Sequence, residues 1–270
     1  MRTMTKESQR LSNQTVLITG ASSGLGEQIA YEASKNGARV ILCARREEEL
    51  KKILERCEGI SGQKGLYYVL DVSDYETVEQ TLENLYQSEE TIDCLINCAG
   101  FGLFEPFLET NFKDTEKMFS VNVLGLIYLT QKIALKMAER GTGHIINIAS
   151  QAGKMATPKS SIYAATKFAV LGFSNSLRLE LKPLGIAVTT VNPGPIKTPF
   201  FDLADPSGDY LNSLGGLALD PQKLASRVVK AIGTNKREIN APFIMEFGSK
   251  CYQLFPHVGD YLAGTLFNKK

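Results

Sequence analysis

Residues 15–26 read Thr-Val-Leu-Ile-Thr-Gly-Ala-Ser-Ser-Gly-Leu-Gly, so a short apolar run passes directly into three closely spaced glycines. The run predicts a buried strand over Thr15–Ile18, and the amphipathic pattern that follows predicts a helix over Leu25–Lys35. A glycine-rich turn between a strand and a helix lets backbone N–H groups approach a pyrophosphate at the positive end of the helix dipole. This stretch therefore predicts a dinucleotide-binding loop near the start of the chain.

Each glycine of the loop has its own predicted task. Gly20 would make the turn, Gly24 would remove a side chain near the phosphates, and Gly26 would let the helix pack on the strand. The spacing is Gly-x3-Gly-x-Gly and differs from the general Gly-x-Gly-x-x-Gly fingerprint, so an ordinary loop with three turn glycines is the alternative. The predicted cofactor contacts of this loop are Gly20, Ser22, Ser23, Gly24, Leu25 and Gly26.

Short apolar runs and longer amphipathic runs alternate along the rest of the chain, which indicates βαβ units and a parallel sheet. The predicted strands are Thr15–Ile18, Arg39–Ala44, Leu66–Leu70, Cys94–Asn97, His144–Ala149, Ile186–Val191 and Glu238–Asn240. The predicted helices are Leu25–Lys35, Glu47–Arg56, Tyr75–Gln87, Phe112–Arg140 (loosened at Gly125), Ser161–Lys182 and Pro221–Ile232. Together they predict an α/β fold, a doubly wound Rossmann sheet of seven parallel strands with helices on both faces. Its ligand would lie at the carboxyl ends of the strands.

No linker divides the chain, so we predict one domain over residues 14–240, preceded by a polar arm over 1–13. The segment Pro199–Leu219 lacks a clean period and predicts a mobile loop or lid. Residues 241–270 form an apolar extension, which we predict to be helical. We expect this extension to pack on the domain or in an oligomer interface rather than on a membrane surface, because its terminal basic pair, Lys269-Lys270, is too little for stable membrane docking.

Composition narrows the class of protein. The chain has 270 residues and a formal net charge of +1, which gives no electrostatic reason to expect nucleic acid as a partner. Its five cysteines form no CxxC pair and indicate reduced thiols, and its two histidines lack neighbours at metal-ligand spacing, so we predict no metal site. Residues 1–14 lack the apolar core of a signal peptide, and no run of 18 apolar residues occurs. We expect a cytoplasmic protein without a transmembrane segment.

The residues after the second strand favour NADP(H) over NAD(H). An NAD site usually presents an acidic residue there, whereas this strand ends in Ala44-Arg45-Arg46. An arginine fork can hold a 2′-phosphate by charge-assisted hydrogen bonds. Arg45 is the main candidate, with Arg46 and Ser22 as helpers. The alternative is that both arginines are solvated residues at the start of the next helix.

Further cofactor contacts are predicted after the third and fourth strands. Asp71 and Val72 end the third strand, where an adenine edge could lie, although Asp71 could instead only order the turn before the next helix. Asn97, Ala99 and Gly100 end the fourth strand, and Gly100 would allow close approach of the cofactor ribose.

Four polar residues form the predicted chemical end. Tyr163 and Lys167 are four apart, so a helix places them on one face, where an ammonium lowers the pKa of a phenol from about 10 toward the working range. Ser150 follows the fifth strand and could donate a hydrogen bond to a substrate oxygen as charge builds there. Asn122 interrupts an apolar helical stretch. It would hold a water that links Lys167 to solvent, or be a satisfied polar residue at a helix kink.

On these residues the chain resembles the short-chain dehydrogenase/reductase family in its plain single-domain form, from about Asn13 to Asn240. The family's TGxxxGxG motif is met by residues 19–26, and its Asn-Ala-Gly motif by residues 97–100, with Cys98 replacing the more usual second asparagine. The Asn-Ser-Tyr-Lys tetrad falls on Asn122, Ser150, Tyr163 and Lys167. The Pro-Gly motif after the sixth strand falls on Pro193 and Gly194, followed by Ile196 and Thr198.

The resemblance implies a role for each of these positions. Tyr163 would be the acid–base, Lys167 would also bind the nicotinamide ribose, Ser150 would polarise the carbonyl and Asn122 would support a proton relay. Ile196 and Thr198, after Pro193-Gly194, would meet the nicotinamide carboxamide. The family usually pairs subunits through the two long helices predicted at Phe112–Arg140 and Ser161–Lys182, so the resemblance implies a homodimer or homotetramer.

The predicted function is an NADP(H)-dependent oxidoreductase that interconverts a ketone or aldehyde and an alcohol by hydride transfer. The loops expected around the substrate are apolar, which favours a small hydrophobic substrate. Their apolar residues are Phe101, Leu103, Phe104, Met155, Phe200 and Phe201. Two alternatives stay open at this point: a 3-oxoacyl thioester reductase, and a non-catalytic NADP-binding regulator or scaffold.

Overall fold

The computed structural model describes residues 9–88, 91–206, 208 and 218–266. Within these ranges seven strands form one sheet: β1 Thr15–Thr19, β2 Arg39–Ala44, β3 Leu66–Val69, β4 Cys94–Asn97, β5 Gly143–Ile148, β6 Ile186–Pro193 and β7 Glu238–Ala241. All neighbouring pairs are parallel, in the order β3-β2-β1-β4-β5-β6-β7. This confirms the predicted doubly wound sheet. The strand order reverses between β1 and β4, so a ligand site is expected at the carboxyl ends of these two strands.

The helices lie on both faces of the sheet. They are α1 Gly24–Lys35, α2 Glu47–Ser61, α3 Tyr75–Gln87, α4 Phe112–Phe119, α5 Leu126–Arg140, α6 Ser161–Leu181, α7 Phe200–Ala204, α8 Pro221–Ala231, α9 Phe243–Leu254 and α10 Pro256–Leu266. The α7 helix lies in the predicted lid, of which residues 207 and 209–217 are outside the described ranges. Residues 1–8 of the predicted arm and the pair Lys269-Lys270 are also outside them.

Strand residues alternate between two apolar layers. Val16 and Ile18 of β1 belong to the layer formed with α1, α2 and α8, whereas Leu17 belongs to the layer formed with α3 and α5. All three are fully buried, as expected of a strand between two helical layers. Each buried aliphatic side chain of this kind contributes about 1.5–3 kcal/mol of transfer free energy. The core is therefore built around the strand that carries the glycine loop.

The predicted helix Phe112–Arg140 is not continuous in its hydrogen bonding. A π-helical segment, Ser120–Gly125, joins α4 to α5, which places the irregularity over the six residues that end at the predicted position, Gly125. A Cβ at Gly125 would lie 2.4 Å from the carbonyl oxygen of Val72, so the helix crosses the end of the β3 loop too closely for a side chain. The π segment also carries Asn122, which is buried. Single π turns of this kind occur often at functional sites.

By length and composition, the stretch Phe112–Arg140 could cross a membrane. Half of its most apolar window is buried inside the fold. Core helices of globular domains pass the same test, so this is weak evidence for a membrane span.

A buried polar cluster ties the loop after β5 to the end of the chain. The Nζ atom of Lys154 lies 2.7 Å from the Glu238 carboxylate, 3.0 Å from Asn240 Oδ1 and 3.0 Å from the Glu246 carboxylate. Glu238 and Asn240 lie on β7 and Glu246 on α9. These four residues, the Lys154 cluster, fix α9 against the loop that carries Ser150.

Candidate active site

A cavity of about 490 Å³ opens at the carboxyl ends of the strands, at the point where the strand order reverses. Nineteen of the twenty-one distinct predicted site residues line it, and the two that do not are Asn97 and Asn122. Residues separated by as many as 178 positions in the chain, from Gly20 to Thr198, therefore meet around one space.

The glycine loop has the shape of a phosphate cradle. Gly20 and Gly24 have φ of +66° and +59°, in the left-handed region that favours glycine. A Cβ at Gly20 would lie 2.8 Å from the Ala99 backbone, and a Cβ at Gly26 would lie 2.3 Å from the carbonyl oxygen of Gly20. Since α1 begins at Gly24, the positive end of its dipole lies at the cavity. The loop thus fits a pyrophosphate group.

Thr19 has a role in this loop that the sequence interpretation missed. Its hydroxyl accepts hydrogen bonds from the backbone N–H groups of Cys98 and Ala99, both at 3.1 Å. These bonds fasten the loop after β4 to the glycine loop, so the two halves of the cofactor cavity keep a fixed spacing. In the sequence, the only sign of this role is a threonine directly before Gly20, and its hydrogen-bond partners are about 80 residues away.

The two arginines after β2 point in different directions. Arg46 donates to the hydroxyl of Ser22 from Nε at 3.2 Å and from Nη2 at 3.1 Å, which holds its guanidinium at the rim of the glycine loop. Arg45 places Nη1 3.7 Å from the Asp71 carboxylate and is mostly exposed. Both arginines line the cavity. The arrangement makes Arg46 and Ser22 one unit and Arg45 and Asp71 another.

Asn97 is used inside the fold. Its side-chain amide donates to the hydroxyl of Thr130 and to the side-chain oxygen of Asn147, both at 2.8 Å. Asn147 lies on β5 and in turn donates to Ser174 of α6 at 2.9 Å. This buried network links two strands and two helices behind the cavity, so Asn97 supports the site without lining it.

Tyr163 and Lys167 meet on the first turns of α6, as their spacing predicts. Both are buried, and Lys167 Nζ lies 5.7 Å from the centre of the Tyr163 ring. The ammonium donates to the carbonyl oxygen of Ile148, at the end of β5, at 3.0 Å. Burial lowers the pKa of Lys167 to about 8, and it raises the pKa of the neighbouring Cys98 thiol to about 12. At neutral pH the site therefore holds an ammonium beside the Tyr163 side chain and an uncharged thiol.

Ser150 is held at the carboxyl end of β5. Its hydroxyl accepts from the backbone N–H of Ala152 at 3.0 Å and lies 3.4 Å from the carbonyl oxygen of Pro193, to which it donates. The first bond caps the short helical turn Gln151–Gly153. The residue lines the cavity together with Tyr163, so the two hydroxyl side chains share one wall.

Asn122 fastens the loop after β4 and does not reach the cavity. Its side-chain oxygen accepts from the Phe101 N–H at 3.0 Å, and its side-chain nitrogen donates to the Phe101 carbonyl at 2.8 Å and to Thr166 Oγ1 at 3.2 Å. Thr166 precedes Lys167 on α6. The amide therefore joins the β4 loop, the π segment and α6 at one buried point.

Aromatic side chains enclose the Tyr163 ring. Phe104 and Phe200 lie 5.7 Å and 5.8 Å from it, centre to centre, and Phe201 packs on both. The Phe104 N–H donates to the carbonyl oxygen of Ala204, which joins the β4 loop to α7. Of the six predicted apolar substrate residues, five line the cavity and Leu103 does not. The sequence interpretation missed Val121, Leu203 and Met245, which also line it.

Comparison with known proteins agrees with this geometry. The family model described as short chain dehydrogenase matches residues 14–206. The chain is 33% identical to the 3-ketodihydrosphingosine reductase of Mus musculus over 246 residues, which is 88% of this chain and 72% of the relative. It is 34% identical to the 3-dehydrosphinganine reductase of Danio rerio over 252 residues, which is 91% of this chain and 74% of the relative. A solved serine dehydrogenase in its closed form, complexed with NADP+, has a TM-score of 0.76 at 32% identity and covers 84% of this chain and 94% of its own.

The fold and the site define an oxidoreductase that uses a nicotinamide dinucleotide. The chain belongs to the short-chain dehydrogenase/reductase family, and it is an NADP(H)-dependent enzyme that interconverts carbonyl and alcohol groups. The cavity fits this cofactor, because the glycine loop has no side chains that would fill the space for phosphate groups and two arginines, Arg45 and Arg46, line the cavity.

Proposed function

We propose that the enzyme reduces a ketone carrying an apolar chain, with NADPH as the hydride donor. The observation that carries this proposal is the enclosure of Tyr163, beside Lys167, by Phe104 and Phe200 at one end of an otherwise apolar wall. The names of two relatives support a substrate with an apolar chain, since both are reductases of a keto group on a sphingoid base.

In this proposal each polar residue acts on a single oxygen. When bound, NADPH supplies the hydride to the carbonyl carbon. Ser150 donates a hydrogen bond to the carbonyl oxygen, and Tyr163 donates the proton that turns this oxygen into a hydroxyl. The Lys167 ammonium stabilises the phenolate that Tyr163 becomes when it gives up this proton. Asn122 keeps the β4 loop and α6 at the spacing that this transfer requires, and in the proposal it also supports the return of the proton.

A substrate panel with matched variants tests this proposal. Ketones of increasing apolar chain length, a 3-oxoacyl thioester among them, are reduced with NADPH while absorbance of the reduced nicotinamide is followed. We expect kcat/KM to rise with chain length. Tyr163→Phe should lower kcat at least a hundredfold and leave NADPH affinity within threefold, because general acid catalysis contributes about 10²–10⁴. Binding of NADPH without turnover of any ketone by the wild type would favour the non-catalytic regulator instead.

We propose that the arginines after β2 bind the 2′-phosphate of NADPH and that Arg46 makes the main contact. Its guanidinium is already fixed on Ser22 of the glycine loop, whereas Arg45 is engaged by Asp71. Arg46→Asp should raise the KM for NADPH at least tenfold and change that for NADH little. Arg45→Asp serves as the comparison. A larger rise in the KM for NADPH with this variant would show that Arg45 is the main ligand of the 2′-phosphate, as first expected from the sequence.

We also propose a homodimer or homotetramer built on α5 and α6. Exposed apolar residues form a stripe on each of two elements: Leu124 of the π segment and Leu135 of α5 form the first, and Phe168 and Leu179 of α6 form the second. The two residues of each stripe are about three helical turns apart. Exposed stripes of this kind mark protein–protein contacts. The Leu135→Glu/Leu179→Glu variant should be a monomer by light scattering at micromolar concentration, where the wild type is a dimer or larger.

We expect the enzyme to reside in the cytoplasm. All five cysteines are free, and three of them, Cys43, Cys57 and Cys94, are buried in the core. Such thiols suit a reducing compartment. Labelling of the denatured protein, taken directly from cells, with a thiol reagent should therefore count five reduced cysteines.

A further inference from the structure

The helix α9 packs with its polar side inward. Glu246 and Ser249 are 8% and 1% exposed, whereas Phe243, Phe247 and Leu254 are 82%, 61% and 73% exposed. The three apolar residues lie at positions i, i+4 and i+11, on one face of the helix. This is the reverse of a surface helix of a globular domain, whose apolar face meets the core.

The inward polar side is held by specific contacts, so the helix orientation is fixed by the rest of the fold. Glu246 accepts from the ammonium of Lys154 at 3.0 Å, within the Lys154 cluster. Ser249 donates to the carbonyl oxygen of Glu246 at 2.9 Å. On the same side Met245 packs on Gly194, against the cavity wall. Rotation of α9 to bury its phenylalanines would break the contact between Lys154 and Glu246 and move the Glu246 carboxylate out of the Lys154 cluster.

The apolar face continues onto α10. The exposed large apolar residues there and at the turn before it are Phe255, Val258, Tyr261 and Leu262. The Tyr252 hydroxyl donates to the Asp260 carboxylate at 2.7 Å, which joins the two helices. Both helices thus present large apolar side chains to the same surroundings. We call this surface the apolar hairpin face.

The charge of the apolar hairpin face limits its partner. Among residues 243–264, the acidic and basic side chains are Glu246, Lys250, Asp260 and the exposed His257. Glu246 is buried in the Lys154 cluster, Lys250 lies 3.4 Å from Glu246, and Asp260 is bonded to Tyr252. A nearly neutral apolar surface has no charge to match a nucleic acid or an acidic peptide. It fits the boundary between headgroups and acyl chains of a lipid bilayer, where aromatic and aliphatic side chains insert.

The position of the face separates a bilayer from a second copy of the chain. Leu203 of α7 lines the cavity and is 53% exposed, so it marks the opening. Met245 lines the same cavity and lies between the exposed residues Ile244 and Phe247. A second copy seated on this face would cover the opening, and the stripes on α5 and α6 already offer a separate surface for it. A bilayer would instead place the opening beside the phase in which apolar compounds dissolve.

We propose that the enzyme docks on a lipid bilayer through the apolar hairpin face, with the opening of the active-site cavity turned toward the membrane surface. The docking rests on the surface of α9 and α10 and holds for any substrate. This differs from the expectation drawn from the sequence, in which the whole extension packs on the domain or between subunits. In the described part of the extension, residues 241–266, the structure packs the inner side of α9 and Ala263 of α10 in that way and leaves the apolar hairpin face exposed.

Vesicle sedimentation with the full chain tests the docking. Phosphatidylcholine vesicles are titrated into the protein at low salt and at high salt. We expect the protein to pellet with the vesicles at both, because the attraction is hydrophobic and salt screens only charges. The Phe243→Ser/Phe247→Ser variant should need at least tenfold more lipid for half-maximal binding. The Tm of this variant should not be lower than that of the wild type, since both side chains are exposed.

A matched pair of single variants provides the control. Leu254→Ser removes an exposed leucine from the apolar hairpin face. Leu184→Ser removes an exposed leucine just before β6, at the amino ends of the strands and away from the cavity. Only the first should weaken vesicle binding.

Three results would overturn the docking. They are wild-type protein that stays in the supernatant at the highest lipid concentration, equal binding by the two leucine variants, and a serine variant of α9 that changes the oligomeric state instead of vesicle binding. Reduction of a water-soluble ketone by each variant separates these outcomes from the proposed function, because that activity should be unchanged when docking is lost.

Discussion

Replacement of Lys167 by methionine should make the protein more stable at neutral pH while it abolishes turnover. The lysine is buried, and its ammonium has one direct hydrogen bond to the fold, to the Ile148 carbonyl at 3.0 Å. Methionine has a similar length and no charge, so it can occupy the same channel. The predicted quantity is the change in the free energy of unfolding, because this change includes the cost of keeping the Lys167 ammonium buried.

The magnitude follows from the pKa of the lysine. Burial lowers it from 10.5 to about 8, which corresponds to about 3 kcal/mol of cost for keeping the ammonium in the folded protein at pH 7. Loss of the hydrogen bond to Ile148 removes about 1 kcal/mol of stabilisation. The variant should therefore be more stable than the wild type by about 2 kcal/mol at pH 7.

The pH dependence of this difference has a defined sign. The unfolded chain keeps the lysine proton up to about pH 10.5, whereas the folded protein releases it near pH 8. Between these values the unfolded state binds more protons, so the stability of the wild type rises with pH relative to that of the variant. Near pH 10.5 the cost is gone, and the wild type should equal the variant or exceed it by about 1 kcal/mol.

Urea unfolding of both proteins at pH 7 and pH 10 measures the difference. Lys223→Met on α8 makes the same charge change at an exposed site and serves as the control, which should follow the wild type at both pH values. The reasoning is refuted if the difference in unfolding free energy between the wild type and Lys167→Met is the same at the two pH values. It is also refuted if the variant is less stable at pH 7.

Three further substitutions test the packing around the site by urea unfolding. Lys154→Met leaves two mostly buried carboxylates without their cation and should cost about 3 kcal/mol, and a loss below 1 kcal/mol would show that the Lys154 cluster does not hold α9. Gly125→Ala should cost about 1–3 kcal/mol, because its Cβ would lie 2.4 Å from the Val72 carbonyl oxygen. Gly172→Ala, in open space on α6, should instead stabilise the protein by about 1 kcal/mol, and equal signs for the two glycines would contradict the π-segment contact.

The sheet and the cavity wall were predictable because they depend on local patterns. Apolar runs bounded by glycines identify strands wherever both faces are buried, and Asp220 before Pro221 marks the start of α8, where its carboxylate accepts from Gln222 N–H at 2.8 Å. In a parallel sheet every strand end faces the same edge. Residues placed after strands, such as Ser150 and Gly100, are thereby gathered around one space without further information.

Features that depend on distant partners could not be predicted in this way. Asn97 is the last residue of the strand that Gly100 follows, yet its amide does not line the cavity and instead donates to Thr130 and Asn147, 33 and 50 residues away. Arg45 and Arg46 are adjacent in sequence. Which of them lies on the glycine loop depends on the backbone direction at the start of α2, and periodicity does not report that direction.

The helix α9 shows why a correct secondary-structure prediction can leave the functional question open. Its apolar and polar residues separate into two faces, and that pattern conventionally turns the apolar face toward the domain. The structure reverses this, because Glu246 is buried and accepts from Lys154, 92 residues earlier, at 3.0 Å. Removing the buried carboxylate from that ammonium would cost more than the exposure of a few phenylalanines, particularly where a bilayer can cover them. The orientation of the helix is therefore decided by an ion pair that amphipathic periodicity cannot detect, and the surface it exposes follows from the ion pair.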